Sequence, residues 1–183
     1  EFQVGDEARV EYNRQYEFLT DAFEISEGIV LPVGGYDFED VRFVYRFGPQ
    51  RPVPGDLLFR TGTFFGGERD EIAYVGRIEV SPKFSIEPSL GFNFVDLPQG
   101  KFRTDLVSSR FNWTLSPRMA VMSFIQYNSS SAALSSSVRL RWEYEPGSDL
   151  FVVYTDGRAT DVSGFPLLQS RTLAVKFTKL FRF

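Results

Sequence analysis

The sequence contains no histidine and no cysteine. The commonest general base, the commonest transition-metal ligand and all thiolate chemistry are therefore absent. Acid–base work falls to carboxylates. The candidates are Asp96, Asp105, Asp149, Asp156 and Asp161, which sit in turn-rich segments or at the ends of alternating stretches. Two carboxylates flanking a glycosidic bond suffice for hydrolysis, so a carboxylate-dependent hydrolase is one reading. Solvated loop acids are the commoner outcome for residues so placed. Asp156 and Asp161 in "TDGRATD" could share a calcium ion, but their spacing is not that of the twelve-residue calcium loop. "GGERDE" at 66–71 lacks the strand, glycine loop and helix of a phosphate-binding loop. The expectation is no enzyme, no catalytic residue, no cofactor and no metal.

A second group of charges is more regular. Arg42, Arg46, Arg60, Arg77, Arg110, Arg139 and Arg141, with Glu79, Glu143 and Glu145, alternate with apolar neighbours. Charges on one face of a strand cannot be buried unpaired. They form an ion network that fills a narrow barrel, or they line the water of a wide one. These ten residues are the candidate lumen-lining set.

The elements that carry them are strands. In "VRLRWEY", Val138, Leu140, Trp142 and Tyr144 fall on one face, with Arg139, Arg141 and Glu143 on the other. "DVRFVYRF" sets Val41, Phe43, Tyr45 and Phe47 against Asp40, Arg42 and Arg46. "DEIAYVGRIEV" sets Ile72, Tyr74, Ile78 and Val80 against Arg77 and Glu79. "KFSIEPSLGFNFV" sets Phe84, Ile86, Leu90, Phe92 and Phe94 against Ser85, Glu87, Ser89 and Asn93. This period of two predicts strands throughout. Pro88 cannot donate to a ladder and predicts a fault there. Short proline turns at 81–83, 116–118 and 145–148 alternate with longer polar connections at 65–70, 95–101, 127–136 and 155–166. The loop at 48–55 is the exception. Tight turns on one rim and longer loops on the other suit an up-and-down barrel of the outer-membrane kind.

Composition narrows the classes. The 183 residues predict one domain, 1–183. Net charge is −4, which argues against nucleic acid as a partner, and 16% of residues are aromatic. No run of about 18 apolar residues exists, so no transmembrane helix is expected. Alternation survives inversion, so a soluble lipocalin-like ligand-binding barrel shares the pattern. Strand lengths near those needed to cross a bilayer favour the membrane form. So do aromatics near strand ends, namely Phe47, Phe65, Phe94, Trp113, Tyr127, Tyr144 and Tyr154. The predicted fold is all-β: an antiparallel up-and-down transmembrane barrel of about 10–12 strands, or the C-terminal part of a larger one.

The ending "TLAVKFTKLFRF" places Phe177, Phe181 and Phe183 on one face, with Lys179 interrupting it. It resembles the terminal strand of bacterial outer-membrane proteins, which the barrel assembly machinery recognises. A narrower resemblance covers most of the chain. "FEISEGIVLPVGGYDF", "GTFFGG", "QGKF", "SSRFNWTLSPRMAVMSFIQYNSSS" and "VRLRWEYEPGSDLFVVYTDG" resemble the C-terminal barrel of a large, poorly characterised outer-membrane family whose members carry a carbohydrate-binding-module-like domain ahead of the barrel. The resemblance implies an outer-membrane location, with lipid and the assembly machinery as partners. It also implies a structural, anchoring or pore role, linked to glycan capture through a domain not contained in this sequence.

Overall fold

In a computed structural model, described here for residues 5–161 and 166–181, regular structure is strand alone. The strands are β1 Glu7–Leu19, β2 Phe23–Ser26, β3 Ile29–Leu31, β4 Gly34–Phe47, β5 Gly55–Phe64, β6 Gly67–Gly76, β7 Ile78–Ser81, β8 Phe84–Leu97, β9 Gly100–Ser116, β10 Met119–Asn128, β11 Ala133–Glu145, β12 Ser148–Ala159 and β13 Leu167–Phe177. Ten of them form a meander, β1-β4-β5-β6-β8-β9-β10-β11-β12-β13. β7 joins it alongside β8, and β2 and β3 make a separate hairpin. The all-β, antiparallel, up-and-down reading is correct.

The expected closed barrel is not what these strands form. The ladder ends at β1 on one side and β13 on the other, with no pairing joining the two. Backbone donors and acceptors on both outer edges are therefore unpaired by sheet hydrogen bonds among the described residues.

The fault expected at Pro88 is present. β6 pairs with β8 down to Val75 opposite Ser89. Pairing resumes in β7 with Ile78 opposite Ile86. Pro88, lacking an N–H, lies in that gap. The chain divides here into two compact units. The first comprises residues up to Gly76 with Ser89–Leu106; the second comprises Arg77–Pro88 with residues from Val107 onward.

In the first unit, register aligns Val10, Phe43, Phe59, Ile72 and Phe92 in one row and Glu11, Arg42, Arg60, Glu71 and Asn93 in the next. Adjacent rows point to opposite faces, so one face is apolar and the other charged. Toward one end of the strands the charged face becomes aromatic. Phe38 and Phe64 flank Phe65 there, at ring-centroid distances of 5.0 and 4.7 Å. The β2–β3 hairpin packs onto these rings. Ile29, Leu31, Phe65, Val95 and Leu97 form the buried cluster, with Leu31 completely inaccessible. Phe65, expected in an aromatic rim, is instead buried in this cluster. Its backbone is left-handed (φ 46°), as is that of Gly66 (φ 76°). Left-handed geometry at both central positions makes the tight turn that matches strand twist. The polar stretch at 65–70 is therefore a two-residue turn running into β6 rather than a long loop. The stretch at 95–101 likewise shrinks to the turn between Leu97 and Gly100.

In the second unit, Val121, Leu140, Val152 and Val175 share one row, and Ala120, Arg141, Phe151 and Lys176 the next. Pro146–Gly147 turns β11 into β12. Gly147 is left-handed (φ +79°), and a Cβ there would lie 2.7 Å from Leu180 Cδ2. The terminal strand is shorter than the alternation suggested, since β13 stops at Phe177. Thr178 still exchanges backbone hydrogen bonds with Asp149. Beyond it the partner strand has turned away at Ser148, whose hydroxyl takes the Leu180 N–H instead. Phe181 lies past the strand, and Phe183 lies outside the described residues.

Candidate functional site

The charged face gathers most of the predicted lumen-lining residues. In the first unit, Arg46 sits between Glu7 and Asp56 in register. It donates to both Asp56 oxygens, from Nε at 2.9 Å and Nη2 at 3.0 Å, a bidentate pair of the strong kind. Four rows along, on the same face, Arg42 and Arg60 lie directly opposite each other across β4 and β5. Their pairs are longer: Arg42 to Glu11 at 3.5 Å, Arg60 to Glu71 at 3.4 Å and to Asp40 at 3.7 Å. Arg69, two rows further, lies over the Phe64 ring at 4.4 Å. Arg42, Arg60 and Arg69 line a hollow of about 840 Å³ with Glu11, Asp40 and Phe38.

In the second unit, Glu87 is the hub. It accepts from Arg77 at 3.0 Å, Arg110 at 3.3 Å and Asn112 at 3.1 Å. Arg77 also reaches Glu79 at 3.1 Å. These groups open onto a hollow of about 470 Å³ lined further by Phe124, Ser137 and Arg139. Arg141 pairs with Asp149 at 3.2 Å. Glu143 accepts the Gly147 N–H at 3.0 Å, binding the turn rather than a cation. Glu145 lies beyond a register shift between Glu143 and Glu145. The set thus falls into two clusters, one per unit, with Arg141, Glu143 and Glu145 outside both. Glu87, Asn112, Glu71 and Glu11 were not singled out as candidate site residues, although they complete the clusters. Their signal was their place on the polar side of the same alternations.

Four of the five carboxylates considered for hydrolysis stand beside a cation. Asp96 pairs with Lys101, Asp105 with Arg103, and Asp149 with Arg141. Asp156 accepts from Arg158 at 2.6 Å, Arg171 at 2.9 Å and Tyr154 at 3.2 Å. No group of three or more acidic side chains placed to hold a metal occurs among the described residues. Asp161 makes no contribution to the Asp156 cluster.

An unexpected site of a structural kind lies at Asp6. Its buried carboxylate accepts from Arg51 at 2.7 Å, the Gly48 N–H at 2.8 Å and the Tyr45 hydroxyl at 2.9 Å. The Arg51 hydrogen bond, with help from Gly48, holds its pKa down at about 2. The contact fastens the start of β1 to the loop between β4 and β5.

No family model, curated protein or solved structure matches the chain.

Proposed function

We propose that this chain is the strand-built, membrane-embedded part of a bacterial outer-membrane β-barrel, serving a structural, anchoring or pore role. The observation that carries this reading is the inverted placement of apolar groups. Among the described residues, only Ile29, Leu31, Phe65, Val95, Leu97 and Ala159 are buried hydrophobics. Val10, Phe43, Phe59, Ile72, Trp113, Leu173, Val175 and Phe177 stand exposed, Val10 by 68% and Phe177 by 63%. A water-soluble chain of this length hides far more of its apolar surface, and contiguous apolar faces of this kind mark an interface with another apolar phase. Rings at the ends of the apolar face, such as Trp142, Tyr144 and Phe177 together at one end, suit a headgroup girdle.

The open sheet adds a requirement. In hydrocarbon every backbone polar group must be paired, so β1 and β13 need strand partners once inserted. Strands of a larger barrel would supply them. The glycan link rests on the sequence resemblance alone.

Envelope fractionation tests the reading. The expected result is recovery with outer membrane and release only by detergent. Recovery as a soluble monomer would favour the lipocalin-like alternative.

A further inference from the structure

The geometry points to an oxyanion-binding site on the charged face of the first unit, built by Arg42, Arg60 and Arg69 for a carboxylate- or phosphate-bearing ligand. The case begins with two arginines in direct register. Like charges placed opposite each other across a strand pair are destabilising, so the pairing calls for a compensating anion. The protein's own carboxylates supply it poorly. Arg42 and Arg60 approach Glu11, Glu71 and Asp40 only at 3.4–3.7 Å, beyond the roughly 2.7–2.9 Å of a charge-assisted hydrogen bond. The Nε atoms of both arginines are shielded from solvent and have no hydrogen-bond partner. A buried donor left unmade is costly. Arg46, on the same strand face, shows what satisfied geometry looks like, with both Asp56 oxygens engaged.

Shape supports the same assignment. The hollow beside these arginines holds about 840 Å³, room for a small acid. Arg69 is held by the face of the Phe64 ring at 4.4 Å rather than by a carboxylate, so its N–H groups remain available. Four arginines line the hollow, and three of them, Arg14, Arg42 and Arg60, meet carboxylates only at 3.4–3.7 Å. A planar or tetrahedral oxyanion accepts from several guanidinium N–H groups at once, the mode for which arginine is suited.

Calorimetric titration of the purified full chain in detergent, at ionic strength fixed with chloride, tests the site with inorganic phosphate in one arm and succinate in the other. Saturable binding in either arm is expected, and the stronger arm names the ligand's acidic group. Arg42→Gln and Arg60→Gln should each weaken it at least tenfold. Arg60→Lys keeps the charge but not the fork, should fold where the glutamine variant does not, and should also weaken binding. Glu71→Gln frees Arg60 from its competing partner and should tighten binding several-fold. Lys83→Gln, the same charge change in a turn of the second unit, should leave it unchanged. No saturable binding in either arm would overturn the assignment. So would equal losses in the Arg60 and Lys83 variants, or a loss on Glu71→Gln.

Discussion

Tyr144 and Phe177 stack face to face, ring centroids 5.2 Å apart at an interplanar angle of 12°. The Tyr144 hydroxyl donates to the Thr178 carbonyl at 3.1 Å. One ring thus serves both the apolar face and the backbone at the end of β13, as an interfacial tyrosine does with its apolar body and polar tip. Tyr144→Phe should lose only the hydrogen bond, about 0.5–1.5 kcal/mol. Tyr144→Ala should lose the stacking as well, a further ~0.5–1.5 kcal/mol beyond the area term. Urea unfolding in detergent micelles would read both; equal losses would mean that the ring contributes nothing.

Leu31 carries the small core. It is fully buried on the inner side of the β2–β3 hairpin, whereas its neighbour Val30 is 48% exposed. Leu31→Ala should cost about 2–5 kcal/mol, and Val30→Ala should stay within about 0.5 kcal/mol. Denaturant midpoints of the two variants check this. Similar midpoints would show that the hairpin adds no stability.

Asp6 predicts an acid limb. Its folded-state pKa of about 2 lies below the ordinary 3.8. A depressed carboxyl stabilises in full above the unfolded value and loses that contribution as pH falls through the folded one. Wild-type stability should therefore decline between pH values of about 4 and 2. Asp6→Asn should be less stable at neutral pH and should lack that part of the decline. Equal slopes for the two proteins would remove Asp6 from the account.

Phe183 is expected to matter in cells more than in the test tube. Even full burial of one ring contributes only about 1.5–3 kcal/mol, so Phe183→Ser should refold into detergent nearly as wild type does. If the assembly machinery reads the terminal strand, the same change should lower the amount reaching the outer membrane. Phe64→Ser is the control, because Phe64 packs, partly buried, against the hydrophobic cluster on the charged face and should act through folding. Wild-type delivery of Phe183→Ser would reduce the aromatic ending to packing alone.

The two faces were legible because a period of two is local: Leu140 and Arg141 point apart whatever lies around them. Pro88 was legible for the same reason, since a missing N–H needs no tertiary context. The turn at Phe65–Gly66 was not. Phenylalanine rarely adopts positive φ, and it does so here because its ring is buried between Phe38 and Phe64. The hairpin was missed although the alternating "FEIS" and the apolar "IVL" flank Glu27-Gly28; Gly28 at φ 73° makes the turn. Asp6 and Arg51 lie 45 residues apart, and nothing local links them. The charged set was right as a face, but which carboxylate joins which arginine depends on register. Glu87 became a hub only because Arg77 and Arg110 are brought to either side of it.

The most direct test of the central claim uses the chain's two tryptophans. Trp113 and Trp142 are 52% and 44% exposed. Each lies with the rings of the apolar face, Trp113 against Phe84 and Trp142 against Tyr144. The protein is reconstituted into vesicles of lipids brominated at defined acyl positions, and tryptophan emission is measured with and without aqueous iodide. If the apolar face meets lipid, bromine should quench both tryptophans, more strongly from positions near the headgroup than from mid-chain, and iodide should have little effect. Strong iodide quenching with emission unchanged by brominated lipid would place that face in water and contradict the membrane account.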